Sequence, residues 1–171
     1  MSEEHTEIRL ARASDLAEIL RMRTELLKEE TALNEAVGGD MDGLDMMRYH
    51  VDVSKDLLDM VGFTLVAEKG GTLVGFVSFL PGKFVGHGGK SAKGVGFWVA
   101  PEERGSTTAS RLWNEGLEVL KSTDAVQIIT VEGNVLMADL AHRVGFAPVA
   151  TIWEIAFSSV SERFMIAVPI P

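Results

Sequence analysis

Residues 94–120 restrict the folds open to this chain more than any other segment. An apolar run leads into the turn sequence PEERGSTTA at positions 101–109, and an amphipathic helix follows. Small and apolar residues recur on one helical face: Ala109, Leu112, Trp113, Gly116, Leu117 and Leu120. A strand that enters a helix through such a turn gathers unpaired backbone N–H groups at the positive end of the helix dipole. The segment therefore predicts a strand–turn–helix unit whose turn binds an anion such as phosphate.

The segments before this unit predict a hairpin and two helices. Residues 63–69 and 72–80 alternate as strands do, and the pair Gly70 and Gly71 between them indicates a β-hairpin turn. Upstream, we expect a short strand at 7–11, a helix capped by Ser14 and broken at Gly38, and a second helix over about 44–60 with Val51 facing inward. Residues 81–93 are predicted to form a glycine-rich loop.

The segments after the unit complete a mixed sheet. We expect a strand at 125–131 buried on both faces, a short helix from Asn134 to Gly145, and two final strands at 149–157 and 164–168. The order predicts an α/β fold with a mixed, mostly antiparallel six- to seven-stranded sheet flanked by helices. The strands near 97 and 129 are predicted to be parallel neighbours.

Composition narrows the class of protein. A chain of 171 residues with 46% hydrophobic residues is long enough for a buried core, so we expect one domain spanning 1–171. The sequence has no Cys, which excludes disulfides, thiolate metal sites and a Cys nucleophile. A polar N-terminus and the lack of a long apolar stretch predict a cytoplasmic protein without a membrane span. The net charge of −9 argues against nucleic acid as a partner and suits a cationic one, such as an amine.

Three motifs in this order resemble the GNAT superfamily of acyl-CoA-dependent N-acetyltransferases, over roughly residues 8–157. IRLARASDL at 8–16 is similar to the family's first strand and helix, and VAPEERG at 99–105 to its fourth strand and pyrophosphate loop. Asn134, with RVGF at 143–146, resembles the exit of the fifth strand and the next helix. The resemblance implies acetyl-CoA as the cofactor and direct transfer of its acetyl group to a primary amine of a small molecule or a protein.

The resemblance also implies a cofactor site with two parts. The backbone of Phe97, Trp98 and Val99 is expected to pair with the pantetheine arm where the two parallel strands splay, with an N–H near Val99 polarising the thioester carbonyl. Asn134 is expected to contact the cofactor as well. The pyrophosphate is expected at the turn residues Arg104, Gly105, Ser106, Thr107, Thr108, Ala109 and Ser110. From the residues alone, core packing and helix capping explain the same positions.

The turn departs from the family pattern Gln/Arg-x-x-Gly-x-Gly/Ala at one position. Arg104 and Ala109 match its ends, but Thr107 stands where the central glycine is expected. A Cβ there crowds an approaching phosphate, whereas the hydroxyls of residues 106–108 can each donate a hydrogen bond. Arg104 and Arg111 add positive charge for a polyanionic cofactor.

Proton transfer is the second departure. Many family members carry a Tyr seven residues after the Asn, and Ala141 occupies that position. Glu154, inside an apolar strand, is a candidate general base because burial would raise its pKa, although alternation can also point it to solvent. Glu132, after the predicted fifth strand, is a second candidate, although its position better suits an acid in a solvated loop. No spacing of His, Asp or Glu indicates a metal site.

Two functions therefore remain open. The first is an acetyl-CoA-dependent N-acetyltransferase. The alternative, favoured by Thr107 and Ala141, is a non-catalytic module on the same fold that binds CoA or a protein partner. The apolar segment 164–168 either pairs with a second copy in a homodimer or completes the sheet.

Overall fold

The chain alternates strands and helices in the predicted order. The computed structural model describes residues 6–36, 62–84, 87–128, 135–147, 150–155 and 164–169, and four helical positions at 48, 51, 52 and 55. In chain order the elements are β1 (Glu7–Leu10), α1 (Leu16–Ala36), β2 (Phe63–Lys69), β3 (Thr72–Phe84), β4 (His87–Val99), α2 (Thr108–Val119), β5 (Ala125–Gln127), α3 (Val135–Arg143), β6 (Ala150–Ile155) and β7 (Phe164–Pro169).

The glycine hairpin is the local feature that organises the sheet. Gly70 and Gly71 join β2 to β3 with φ angles of 57° and 80°. Residues with a Cβ rarely adopt positive φ, so two consecutive glycines fix the turn and its place in the chain. The predicted hairpin is confirmed.

Strand order in the main sheet is β1-β2-β3-β4-β5. The first four strands pair antiparallel, and β4 pairs with β5 in parallel. Helix α2 connects the parallel pair, as a crossover between parallel strands requires. The prediction that these two strands are parallel neighbours is confirmed, and their described contact lies at Ser91–Lys93 and Ala125–Gln127.

The mixed α/β fold agrees with the prediction, but the predicted number of strands in one sheet is not confirmed. The described residues form a five-stranded sheet and a separate antiparallel pair of β6 and β7, not one sheet of six or seven strands. The pair runs from Ala150 opposite Pro169 to Ile155 opposite Phe164. β7 therefore pairs with β6 and does not complete the main sheet. Alternating residues identify a strand, whereas its neighbour is chosen by contacts that are remote in sequence.

The predicted loop at 81–93 is also wrong, because β3 continues to Phe84 and β4 begins at His87. A glycine in this segment permits a close approach of chains. A Cβ on Gly89 would lie 1.9 Å from Oδ2 of Asp124, and that oxygen accepts a hydrogen bond of 2.7 Å from the backbone of Lys90. The glycine content thus serves strand packing here, where the sequence pattern indicated a loop.

β5 differs from its prediction in length and burial. The described strand ends at Gln127, and residues 125–128 are half-buried, not buried on both faces. Among the described strands β5 lies at one edge of the sheet, so part of its surface stays open to solvent.

Helices α1 and α2 pack on opposite faces of β4. On the α2 face, Trp113 lies edge-on to Phe79 with ring centroids 5.4 Å apart and also contacts Phe97. On the α1 face, Trp98 contacts Glu29 through its indole N–H. The buried side of α2 agrees with its predicted periodicity: Leu112, Trp113, Gly116 and Leu120 are buried, and Ala109 and Leu117 are half-buried.

The start of α1 is fixed by an ion pair, where we predicted a Ser14 cap. The carboxylate of Asp15 accepts a 2.7 Å hydrogen bond from the backbone N–H of Arg12. It also pairs with Arg9, and Arg9 contacts Glu68 on β2. The Arg9 hydrogen bond lowers the pKa of Asp15, with burial opposing it and the Arg12 N–H adding to it. Ser14 is exposed and makes no cap.

The predicted second helix is described at four positions, all of which are helical. Val51, expected on its inner face, is 61% exposed, so that assignment is wrong. None of the helices in the described ranges has the length and apolar character needed to cross a bilayer.

Candidate functional site

The gap between β4 and β5 forms the first part of the candidate site. Their described ladder ends at Lys93 opposite Gln127, while β4 continues to Val99. Gly94 stands at the branch point, where a Cβ would lie 2.9 Å from both Ile128 and Trp113. Beyond it, no described strand pairs with this edge of β4, and this is the part of the strand at which the resemblance predicts a splay.

The register decides which backbone groups face the gap. Ala100 donates to the carbonyl of Val74 at 2.8 Å, and Gly75 stands opposite Val99. Hydrogen-bonded and non-hydrogen-bonded pairs alternate along an antiparallel ladder. The N–H and C=O groups of Phe97 and Val99 therefore point away from β3 into the gap.

Trp98 differs from its two neighbours. Its backbone belongs to the hydrogen-bonded pair with Phe76, so its N–H and C=O face β3. The same alternation separates the side chains: Phe97 packs toward α2, whereas the Trp98 indole packs toward α1. Of the three residues predicted to pair with pantetheine, Phe97 and Val99 offer backbone groups to the gap and Trp98 does not.

The turn before α2 forms the second part of the site. A 3-10 turn at Pro101–Glu103 is anchored by an ion pair of 2.6 Å between Glu103 and Lys69. Gly105 has a φ of 91°, which favours glycine at that position. Thr107 has a φ of −79°, which any residue adopts. The threonine at the family's glycine position thus causes no backbone strain.

Backbone donors gather at this turn. The N–H of Ser106 bonds to the carbonyl of Glu103, and that of Thr108 to the hydroxyl of its neighbour Ser106. The first bond of the helix ladder is made by Arg111. Four N–H groups have no acceptor among the described residues: Gly105, Thr107, Ala109 and Ser110. They lie in the turn and first helical turn, where unpaired donors and the helix dipole favour an anion.

Fewer hydroxyl groups of the turn are available to a phosphate than the sequence predicts. The Ser106 hydroxyl donates toward the carbonyl of Glu103 at 2.7 Å and the hydroxyl of Thr108 at 3.0 Å, and its oxygen accepts from the backbone N–H of Thr108 at 3.1 Å. Ser110 donates to the carbonyl of Thr107 at 3.1 Å. A hydroxyl has one proton, so those of Ser106 and Ser110 are committed within the protein, and the Thr108 hydroxyl is the acceptor for Ser106. The Thr107 hydroxyl alone in this turn has no partner among the described residues.

Arg104 is placed differently from its prediction as a charge for the cofactor. Its Nη2 lies 2.6 Å from Oε1 of Glu29 on α1, and its Nε donates to the carbonyl of Val99 at 2.9 Å. Glu29 was not identified from the sequence, because an acidic residue on an amphipathic helix resembles an ordinary solvated one. Lys69, the last residue of β2, was not identified either, because a lysine next to a glycine turn resembles an ordinary solvated one.

Several predicted site residues lie outside what the structure describes. Asn134 and Glu132 fall outside the described residues, as does the side chain of Glu154, whose backbone in β6 stands opposite Met165. Ala141, at the position of the family Tyr, is half-buried on α3. These residues are not brought together with the turn by any described contact.

Solved structures with the same fold include several acetyltransferases. Ribosomal-protein-alanine N-acetyltransferase from Brucella melitensis biovar Abortus 2308 superposes with a TM-score of 0.65 at 18% identity, over 89% of this chain and 99% of that one. A GCN5-related N-acetyltransferase from Ralstonia eutropha JMP134 superposes with a TM-score of 0.63 at 18% identity, over 92% of this chain and 97% of that one. The aminoglycoside N-acetyltransferase AAC(6')-Iy in complex with CoA superposes with a TM-score of 0.63 at 14% identity, over 93% of this chain and 97% of that one. Identities this low establish a shared fold.

Sequence comparison supplies the family. No curated protein matches the chain. The profile described as the acetyltransferase (GNAT) family matches residues 27–146, which include the second half of α1, the hairpin, β4, the turn, α2 and α3. The match spans more than half of the chain, and the prediction of an acyl-CoA cofactor agrees with the family and with the CoA complex of its structural neighbour. The chain therefore belongs to the GNAT acetyltransferase family.

Proposed function

We propose that this protein is an N-acetyltransferase that moves the acetyl group of acetyl-CoA to a primary amine by direct transfer. One observation carries the proposal. Four N–H groups of the turn at 105–110 have no acceptor in the part of the chain that the structure describes, and they lie just beyond a strand edge that presents the N–H groups of Phe97 and Val99. An elongated cofactor with a diphosphate at one end and amides along its arm requires this pairing of donors.

The turn fits the diphosphate. Gly105, Thr107, Ala109 and Ser110 offer backbone donors, and the Thr107 hydroxyl offers another. The chain is acidic overall, with a net charge of −9, so binding of an anion has to rely on local donors and the helix dipole. Thr107 then acts as a donor at the position where the family carries glycine.

The edge of β4 fits the arm and the reacting group. Acetyl-CoA supplies an acetyl group activated as a thioester, and the amine nitrogen gains the acetyl–N bond as the acetyl–S bond breaks and the thiol departs. The N–H of Phe97 or Val99 is placed to donate to the carbonyl oxygen as negative charge develops there. Fixing both reactants beside one strand edge supplies much of the rate by proximity.

Proton transfer is the step for which the described residues offer least. Without a Tyr at position 141, release of a thiolate at pH 7 costs about 2 kcal/mol, given a thiol pKa near 8.5. Deprotonating a lysine-like amine, with a pKa of about 10.4, costs about 4.6 kcal/mol. A base therefore matters more than an acid, and Glu154 and Glu132 remain our proposed candidates, directly or through water.

Binding and turnover test the proposal separately. Acetyl-CoA is titrated into the protein by calorimetry, and thiol release is followed with an amine panel that contains an aminoglycoside and a peptide with N-terminal alanine, the acceptor types named for two structural neighbours. We expect binding and release with at least one amine. Binding with no turnover on any amine would support the non-catalytic module, which the Ala141 position favours.

A negative charge placed on the turn tests whether the turn binds the phosphates, and the same charge placed elsewhere is the matched control. T107D puts an acid at a helix N-cap, which favours the helix, but also beside the proposed phosphates. We expect acetyl-CoA affinity to fall about tenfold or more, since a like charge near 4 Å costs on the order of 1–4 kcal/mol. S122D adds the same charge at an exposed position beyond the other end of α2 and should leave affinity unchanged. Equal affinity in both variants would remove the turn from the site.

A further inference from the structure

A single carboxylate oxygen links α1 to both parts of the candidate site. Oε1 of Glu29 accepts a 3.0 Å hydrogen bond from the indole N–H of Trp98 and a 2.6 Å contact from the guanidinium of Arg104. Trp98 belongs to β4, and Arg104 opens the turn that leads to α2. One side chain on α1 therefore connects to the strand edge and to the turn together.

Arg104 extends this link to the gap. While its Nη2 contacts Glu29, its Nε donates to the carbonyl of Val99 at 2.9 Å. Val99 is one of the two residues whose backbone faces the gap. The guanidinium is thus held at two points, and the position of the turn is tied to the residue whose N–H is proposed to serve the cofactor.

The three side chains of this link differ in solvent exposure, and the difference indicates which contacts stabilise the fold and which position the turn. Trp98 is 5% exposed and is part of the core. The side chains of Arg104 and Glu29 are 40% and 46% exposed. An ion pair that is open to water adds little to folding, because solvent screens it and both side chains lose freedom. The consequence of this pair is therefore geometric: it fixes the direction of Arg104 at the start of the turn.

We propose that Glu29 is a positioning residue for the cofactor site: it holds Arg104 against Val99, so that the turn amides and the strand edge keep their relative positions. This inference rests on the proposed function, since it concerns the same cofactor. Without Glu29, Arg104 keeps its hydrogen bond to the Val99 carbonyl and its place over the Trp98 ring, 5.9 Å from the ring centroid, but loses its only described ion pair. Part of the ordering of the turn then has to occur when the diphosphate binds. The ordering cost then appears in affinity and not in the reaction step.

An electrostatic role for Glu29 predicts the opposite change in acetyl-CoA affinity when the residue is removed. If Glu29 acted mainly as a negative charge near a polyanion, its removal would relieve repulsion and tighten binding. A positioning role predicts weaker binding. The direction of the change in affinity therefore distinguishes the two.

The experiment compares Glu29 with its neighbour one helical turn away. E29A removes both contacts, and E29Q keeps an oxygen acceptor without the charge. E25A is the matched control, because Glu25 pairs only with exposed Lys28 among the contacts described. Acetyl-CoA affinity is measured by calorimetry, and kcat and KM with the best amine of the panel. We expect E29A to weaken binding about tenfold and E29Q less, with kcat within threefold and E25A like the wild type.

A double-mutant cycle with Arg104 measures the coupling between the two residues in acetyl-CoA affinity, which general destabilisation of the fold would not produce. R104A should weaken binding by a similar factor, and E29A/R104A by no more than the larger single effect, because both remove the same link. Melting temperatures are recorded for all variants. If E29A fails to fold, E29Q and R104A carry the comparison.

The outcomes separate this inference from the proposed function. Wild-type protein that binds no acetyl-CoA would overturn both. Wild type and E25A that bind, with E29A and E29Q binding as tightly or more tightly, would overturn the positioning role alone. Additive losses in the double variant would also overturn it.

Discussion

The face of β4 toward α2 is packed by apolar and aromatic side chains, whereas its opposite face combines the Trp98 ring with charged side chains. Toward α2, Phe97 lies 5.6 Å from Trp113 between ring centroids, and Phe146 is at the same distance from that indole. Gly94 leaves room for the indole at the branch of the two parallel strands. These rings are stabilised by burial, which depends on area and little on direction.

Toward α1, the same strand meets charged side chains. Trp98 and Arg104 converge on Glu29, and buried Arg23 donates to the carbonyl of Val95 at 3.3 Å while its Nη1 lies over Gly96. Hydrogen bonds of this kind add modestly to stability but require particular directions. One strand therefore separates two functions: the α2 face holds the fold together, and the α1 face sets the orientation of the turn and the strand edge.

The largest expected effect is on the aromatic face. W113A removes a side chain that is 1% exposed and should lower the free energy of unfolding by about 3–5 kcal/mol, because a large cavity remains. Denaturant unfolding measures it. The control W113F should cost much less, since it keeps most of the ring volume and removes an indole N–H that has no partner among the described residues. Equal losses in both variants would contradict the packing explanation.

A buried ion pair at the start of α1 tests whether charge on that side can also stabilise. Arg9 and Asp15 side chains are 12% and 10% exposed, unlike the pair of Arg104 and Glu29. D15N should lower the free energy of unfolding at pH 7 by about 1.5–3 kcal/mol. Because the pKa of Asp15 is lowered in the folded state, its contribution is complete above the ordinary value near 3.9 and is lost as pH falls below it.

Chemical unfolding from pH 7 to pH 2 checks this dependence. The wild type and D15N should converge at the acid end of the range, where the carboxyl is protonated. A difference between them that stays constant with pH would contradict the role of the charge.

Substitution of two glycines of β4, one on each face, compares how rigidly the two faces are packed. In G94A the new Cβ would lie 2.9 Å from the rigid Trp113 ring and from Ile128, and overpacking of this kind costs about 1–3 kcal/mol. In G96A it would lie 2.7 Å from Nη1 of Arg23, the end of a long side chain that can shift, and 3.2 Å from the ring of Phe76, a less severe approach than that of G94A to Trp113. We expect the larger loss of stability, by thermal unfolding, in G94A. The reverse order would mean that the α1 face is packed more rigidly than we infer.

The smallest expected effect concerns Thr107. T107V removes the unpaired hydroxyl and keeps the shape, so acetyl-CoA affinity should fall by roughly two- to tenfold, the value of one hydrogen bond of about 0.5–1.5 kcal/mol. Calorimetric titration measures it, with T107S as the control that restores the hydroxyl. Tighter binding by T107G than by the wild type would show that the threonine obstructs the phosphate.

Much of the site could be predicted because its signals are local. Gly70 and Gly71 define a hairpin, and the period of residues 109–120 defines the buried face of α2. The long-range choices were missed: β6 pairs with β7 instead of extending the sheet, and residues 81–93 are strand instead of loop. Such pairings depend on segments far apart in the chain, which no local pattern records.

The sequence by itself determined the order of elements, the helix that follows a donor-rich turn, and the family, because short-range periodicity and turn chemistry are written in neighbouring residues. Only the tertiary structure decided which donors remain available. Ser106 and Thr108 satisfy each other, Arg104 is held by Glu29 from a helix 75 residues away, and the Phe97 and Val99 amides face the gap through the register with β3. Hydrogen-bond availability depends on what else lies within about 3 Å, and folding alone brings those groups together.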